Sequence, residues 1–230
     1  DRFASACVME GSSHSLDQER VRGVQFAAGV FTNLSQDHLD YHSDMASYAA
    51  AKARLFAQLG SGSVAVLNHD DPASSLMADQ LDPGVRVLTF GYSPNADVRA
   101  ESVRPGPDGT RFVMVMPNGR VEMFLRLCGE HNVSNALAAA ASALAMGTSE
   151  LTIASALEDA RPVPGRLELV EGPLGRSSRV RVFVDYAHTP DALDKVCGTL
   201  QELCEGGEVV GRRGEVLSEA QVAKVMRSTL

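Results

Sequence analysis

Lysine is scarce in this chain. Eighteen of the 21 basic residues are arginine, and only Lys52, Lys195 and Lys224 are lysine. None of the three follows a glycine, so no GxxxxGK[ST] phosphate-binding loop is present. No run of eighteen apolar residues exists, which excludes a membrane-spanning helix. The first residues, DRFASACVME, lack a charged stretch followed by an apolar one, so they are not expected to be a signal peptide. Basic charge is also short overall. The net charge is −8, which argues against a general nucleic-acid binder. The cysteines (Cys7, Cys128, Cys197 and Cys204) have neither metal nor redox spacing and are expected to be free thiols of a reducing compartment. There is no internal repeat and no low-complexity segment.

What remains is a globular composition, 44% hydrophobic over 230 residues. That length suits one large domain or two small ones. The most informative stretch is Val30 to Phe56, VFTNLSQDHLDYHSDMASYAAAKARLF. Ser43 or Asp44 reads as an N-cap, which predicts a helix from about Met45 to Leu59. Its apolar stripe is Met45, Tyr48, Ala49, Leu55, Phe56 and Leu59, and the i+7 position in that stripe is Lys52. A lysine on an inward face is desolvated, which lowers its pKa and makes it nucleophilic. Asp37, His38, Asp40 and His42 form a polar cluster just upstream.

Further along, Ala28–Thr32 and Ser63–Leu67 read as buried strands, Pro72–Gln80 as a helix and Val85–Gly91 as a strand. From about Asp97 the texture becomes alternating. Asp97–Val103, Arg111–Met116 and Val121–Leu127 are separated by Gly106-Pro-Asp-Gly109 and Pro117-Asn-Gly119, which are hairpin signals. Helices are expected over Asn132–Met146, Ser149–Ala160 and Pro190–Leu203, with strands near Arg166–Glu171 and Val180–Asp185. The fold class is therefore α/β, a mostly parallel sheet flanked by helices with a small antiparallel insertion.

All six histidines fall in polar clusters, and in open α/β sheets such clusters converge at the carboxyl ends of strands. Glu10 can ligate a hard cation such as Mg²⁺, which prefers oxygen, or serve as an acid near a helix N-terminus. His38 reads as a ligand or a loop residue. His38 and His42 share the four-residue spacing of two zinc ligands, but no cysteine is near and Leu39 and Tyr41 look structural. Asn132 and Ser134 can cap the alanine-rich helix, which leaves Asn135 to present its amide to a base or a phosphate. Asp185 ends a strand, where an acid can accept ribose hydroxyls or cap the next helix.

Taken together, MEGSSHSLDQER, FTNLSQDHLDYH, AKARLF, LNHDD, GEHNVSNALAA, PVPGRLE and VDYAHTPDAL resemble the Mur ligases, in family order from about Val8 to Leu200. The likeness is greatest to the branch that adds the third residue to the cell-wall precursor UDP-N-acetylmuramoyl-L-alanyl-D-glutamate. The resemblance implies a cytoplasmic, monomeric, ATP-dependent amide ligase with a P-loop-NTPase-like sheet, or a plastid protein if the source is a photosynthetic eukaryote. ATP would phosphorylate the D-glutamate carboxylate, and the amine of a diamino acid would attack the acyl phosphate. It implies that Lys52 is carbamylated and that Glu10, His38 and the modified Lys52 hold Mg²⁺. Ser12, Gln18 and Arg20 would contact the UDP-sugar peptide. Asn135, Asp185, Tyr186 and Arg166 would bind the nucleotide.

Three departures accompany the resemblance. Gly11 stands where a branched apolar residue is usual, which is expected to loosen Glu10. The family's phosphate-binding loop and UDP-gripping domain would precede residue 1. Beyond residue 204 the pattern ends, so 1–204 is expected to be a central domain without its first strand, and 205–230 a tail in place of the C-terminal ligase domain. On this reading the chain is inactive alone. The alternative is a non-catalytic Mur-like interaction protein, for example of the plastid type. A folate or cyanophycin ligase relative would share the chemistry, but SSHSLDQER and DYAHTPDAL argue against it.

Overall fold

Alternation of short apolar runs with helical segments builds the first half of the chain. In the computed structural model, residues 4–34, 42–106, 108–170 and 182–203 are described. The chain divides into two compact units, Asp1–Phe90 and Gly91–Leu230. In the first, the order is α1 (Ser13–Asp17), β1 (Ala28–Phe31), α2 (Met45–Ala57), β2 (Val64–Asn68), α3 (Ser74–Ala78) and β3 (Arg86–Gly91). β1 pairs parallel with β2, and β2 parallel with β3. Each pair needs a crossover, and α2 and α3 supply them. Every residue of β2 is buried, as a strand covered on both faces requires.

Phe31, Ala65 and Leu67 pack with Phe56 and Leu59 from α2 and its end, and with Met77 from α3. The Phe31 and Phe56 rings meet edge-on at 6.5 Å. Fully burying side chains of this size contributes about 1.5–3 kcal/mol each. A Cβ at Gly29 would lie 3.2 Å from a Leu59 methyl, so the glycine admits the end of α2 close to β1. β1 is less buried than its composition suggests. Val30 stays 38% exposed because it points away from α2, on the face opposite Phe31.

α2 starts with a reciprocal capping box. Asp44 accepts from the Ser47 amide at 2.7 Å, and the Asp44 amide donates to Ser47 Oγ at 3.3 Å. Two of the helix's orphan backbone donors are thus satisfied.

The second unit opens on an antiparallel meander, β4 (Val98–Gly106), β5 (Gly109–Met116) and β6 (Gly119–Leu125). Its inward rows are Phe112, Met114 and Met116 on β5, and Met123 and Leu125 on β6. The register slips between Glu101 and Arg104, where Ser102 takes a φ of 54°. The two hairpin turns fall where the Gly-Pro-Asp-Gly and Pro-Asn-Gly signals place them.

α4 (Glu130–Ala145) packs on β4 and β5 through Val133, Leu137, Ala140 and Ala141, and α5 (Glu150–Glu158) packs on β6. Glu150 accepts from the Asn118 amide at 2.9 Å, and Glu158 from the Phe124 amide at 3.4 Å. These carboxylates satisfy donors of the β5–β6 turn and of β6 that would otherwise face outward, a way of blunting a strand edge. β7 (Glu168–Leu169) and β8 (Phe183–Val184) form a short antiparallel ribbon, followed by α6 (Pro190–Leu203). No described helix is long and apolar enough to cross a membrane.

Candidate functional site

In the first unit the candidate residues gather at the carboxyl end of β1. Three consecutive residues leaving that strand are each held by a side chain. Asn68 Nδ2 donates to the Thr32 carbonyl at 2.7 Å. Lys52 Nζ donates to the Asn33 carbonyl at 3.4 Å. Asp71 Oδ2 accepts from the Leu34 amide at 2.7 Å. Asn68 and Asp71 belong to the LNHDD motif at the end of β2, and both are fixed in turn. Asn68 Oδ1 accepts from the Asp70 amide at 2.9 Å, and Asp71 Oδ1 from the Ala73 amide at 2.9 Å. In the sequence, LNHDD stood only among the motifs that carry the family resemblance. Its work is to tie the ends of two parallel strands together.

Lys52 is half-buried, not enclosed by the core. Its neighbours Ala51 and Ala53 are the buried ones. Apart from the Asn33 carbonyl, its ammonium stands over the Tyr48 ring, 5.2 Å from the centroid. The predicted stripe ran through Lys52 because Tyr48 and Phe56 flank it at one-turn spacing. On α2, Ala53 meets the core around Phe31, and Lys52 lies half-buried at the border of the buried face.

α1 sits beside α2. Ser12 caps α1, its hydroxyl accepting from the Ser15 amide at 3.2 Å. Gln18 and Arg20 follow the helix and are exposed. Glu10, just before the cap, is also exposed. A Cβ at Gly11 would meet nothing within 4 Å, so there is room for a larger residue there. His42 is 5% exposed and its Nε2 lies 2.9 Å from Ser13 Oγ. That hydrogen bond and a stack on Tyr48 give His42 a packing role, in keeping with the sequence objections to a zinc pair with His38. His38, with Asp37 and Asp40, lies outside the described residues, as does the expected tail 205–230. Among the described residues, no group of three His, Cys, Asp or Glu side chains is placed to hold a metal ion.

The second unit carries the other candidates. Both Asp185 oxygens accept backbone amides, Oδ2 from Leu167 at 2.6 Å and Oδ1 from Ala187 at 2.7 Å. Leu167 is buried with a left-handed φ of 44°, so Asp185 pins a strained loop. That loop presents Arg166, whose guanidinium stands 5.6 Å over the Tyr186 ring. The Tyr186 amide donates to the Gly165 carbonyl at 2.8 Å. The PGR and DYAH segments are therefore one structure, with Arg166 and Tyr186 both exposed on it.

α4 begins at Glu130, with Gly129 as its N-cap at φ 90° and no side-chain cap. Asn132 therefore does not cap the helix, as the sequence had suggested. Its amide donates back to the Cys128 carbonyl at 2.8 Å. Asn135 is exposed on the next turn. His131 lies below the ordinary imidazole range because packing disfavours its charged form; Asp185 opposes that shift and Lys195 adds to it.

Known proteins resemble this chain in sequence and in fold. Residues 2–143 match the family described as Mur ligase middle domain. The chain is 45% identical over 212 residues to the UDP-N-acetylmuramoyl-L-alanyl-D-glutamate–2,6-diaminopimelate ligase of Geobacter metallireducens, covering 90% of this chain and 40% of that relative. It is 44% identical over 211 residues to the ligase of the same name from Geobacillus kaustophilus, covering 89% and 42%. A solved structure of a ligase of that name superposes with a TM-score of 0.72 at 29% identity, covering 95% of this chain and 45% of the other. MurF from Acinetobacter baumannii shares the fold, with a TM-score of 0.69 at 24% identity over 77% of this chain and 38% of its own. The chain thus spans about two fifths of the curated relatives it matches. By the family match over its first 143 residues, the chain belongs to the Mur ligase family and carries its middle domain.

Proposed function

We propose that this chain is the central part of an ATP-dependent amide ligase of peptidoglycan precursor synthesis. The reaction would join a diamino acid, 2,6-diaminopimelate in the names of the relatives, to UDP-N-acetylmuramoyl-L-alanyl-D-glutamate. ATP would phosphorylate the D-glutamate side-chain carboxylate. The incoming amine would then attack the acyl phosphate, forming the amide and releasing phosphate. The observation that carries this reading is Lys52, held by the Asn33 carbonyl at the carboxyl end of a parallel strand, where α/β sheets place their ligands.

Mg²⁺ belongs to the same reading. A hard cation takes oxygen ligands, and the exposed Glu10 carboxylate offers them. The Lys52 amine donates hydrogen bonds and has no oxygen to give. Addition of CO₂ to Nζ, with loss of a proton, would supply two carbamate oxygens, and in that form the donor set fits the ion. Glu10, carbamylated Lys52 and His38 would hold the metal. When bound, it would neutralise charge developing on phosphate oxygens.

The chain's own side chains would do the rest. Ser12, Gln18 and Arg20 would orient the UDP-sugar peptide from α1, the helix joined to the one that carries Lys52. Arg166 and Tyr186, held by the Asp185 clip, would face the nucleotide. Asp185 retains lone pairs for a ribose hydroxyl beyond the two amides it accepts. The exposed Asn135 side chain makes no hydrogen bond to a described residue, which suits an amide reserved for adenine. Saturation-transfer NMR with ADP tests this. Adenine and ribose protons should receive magnetisation from the chain, and Asn135→Ala should weaken the adenine signals selectively. Equal transfer to both parts of ADP in wild type and Asn135→Ala would contradict the placement.

A further inference from the structure

His42, which the proposed reaction leaves unused, is one of the few buried polar side chains near Lys52. His42 is 5% exposed and Ser13 only 2%. They are joined by the 2.9 Å contact between Nε2 and Oγ. A buried polar pair of this kind is retained only when each partner satisfies the other. The His42 ring is also held on two sides. His14 lies against it at 5.6 Å between centroids, tilted by 55°. Tyr48 stacks on it at 5.2 Å and 27°. Tyr48 is itself 4% exposed, and its ring carries the Lys52 ammonium at 5.2 Å. The four side chains Ser13, His42, Tyr48 and Lys52 form one continuous array from α1 to the lysine.

The array has a second anchor at the far end of α1. Arg54 Nη1 donates to the Asp17 carbonyl at 3.0 Å, and Nη2 pairs with the Asp17 carboxylate at 3.1 Å. Exposed ion pairs contribute little by themselves. This one fixes the C-terminal end of α1 to α2, while the His42–Ser13 pair fixes its N-terminal end. The short helix is therefore registered against α2 at both ends, and only the His42 end runs on to Lys52.

We propose that His42 is a positioning residue for Lys52, acting through the Tyr48 ring, and that the same side chain sets α1 against the lysine helix. The proposal deepens the functional reading given above and rests on it for its meaning, because Lys52 matters only if that site is used. The geometry it describes stands independently. A Tyr48 ring free to rotate would no longer offer its face to the ammonium, and Lys52 would retain only its polar contacts.

The scarcity of lysine makes this measurable. With ¹³C-lysine, the full chain gives Cε–Hε cross-peaks from Lys52, Lys195 and Lys224 alone, and Lys52→Arg assigns the first. Protons above an aromatic face are shielded, so the Lys52 peak should lie upfield of the free-lysine position. Tyr48→Leu should abolish that displacement. His42→Ala should remove most of it while far-UV circular dichroism stays unchanged. Ser13→Ala, which removes only the hydrogen bond, should shift the peak in the same direction by less, and it serves if His42→Ala does not fold. A Lys52 peak at its wild-type position in a folded His42→Ala or Ser13→Ala chain would overturn the proposal. A chain whose peaks move as stated but whose Lys52 never takes up CO₂ would sink the functional reading and leave the brace intact.

Discussion

Asp71 accepts the Leu34 amide at 2.7 Å across 37 residues of sequence, joining the exit of β1 to the exit of β2. Its other oxygen accepts the Ala73 amide. Removing the side chain leaves both donors to find water or go without, and an unsatisfied buried donor costs about 1–3 kcal/mol. Asp71→Ala should therefore lower unfolding stability by at least about 1 kcal/mol, and Asp71→Asn, which keeps one acceptor, by less. Urea denaturation reads both. Equal stability in all three chains would show that the strand ends do not depend on this clasp.

The capping box at α2 gives a pH dependence of defined sign. Asp44 titrates below its ordinary 3.8, chiefly because its carboxylate accepts the Ser47 backbone amide and then the Ser47 side chain. A depressed carboxylate contributes stability that is fully present above its unfolded-state pKa and is lost as pH falls through the folded value. Asn caps helices well without a charge, so Asp44→Asn isolates that ionic part. The stability gap between wild type and Asp44→Asn should close as pH falls below 3.8. A gap that widened in acid would mean the carboxylate is not the favoured form in the folded chain.

Asp185 is predicted to act on the nucleotide partly through the loop it pins. Asp185→Ala frees the amides of Leu167 and Ala187 and should release Arg166 from its place over Tyr186. ADP affinity should fall by roughly tenfold or more, equivalent to about 1.4 kcal/mol. Isothermal titration is the check. Unchanged ADP affinity would remove Asp185 and its loop from the nucleotide site.

Gly129 admits a close approach that no other residue allows. At φ 90°, a Cβ would lie 2.7 Å from the His131 ring and 2.9 Å from a Thr199 methyl on α6. Gly129→Ala should cost about 1–3 kcal/mol from the positive-φ, extended backbone alone, with the clash added. Thermal denaturation should show it. An alanine variant as stable as wild type would mean that α6 does not pack at this position.

Much of the fold is legible in the sequence because its signals are local. The Asp44 cap, the apolar run Val64–Leu67 of β2 and the Pro-Asn-Gly turn each announce themselves within a few residues. α6 begins at Pro190 as the first-turn preference for proline implies. The candidate site is less legible because its contacts are distant in sequence. Nothing near Asp71 signals that it serves Leu34, and nothing near His42 signals Ser13. The His38–His42 spacing alone cannot separate a metal-facing imidazole from one stacked on a tyrosine, as His42 is. Lys52 was placed on the inward face by periodicity. The structure holds it at the edge, half-buried between the buried Ala51 and Ala53. Asp185 reads as a ribose acceptor or a cap for the next helix, and the clip it makes on the PGR segment depends on a strand pairing that local sequence does not reveal.

The central claim is that Lys52 is a reactive amine poised to become an oxygen ligand. The direct measurement is ¹³C NMR of the chain in ¹³C-bicarbonate with Mg²⁺. The account predicts a carbamate carbonyl resonance in wild type that is absent from Lys52→Arg. A spectrum without that resonance, or one in which it persists in Lys52→Arg, would contradict it.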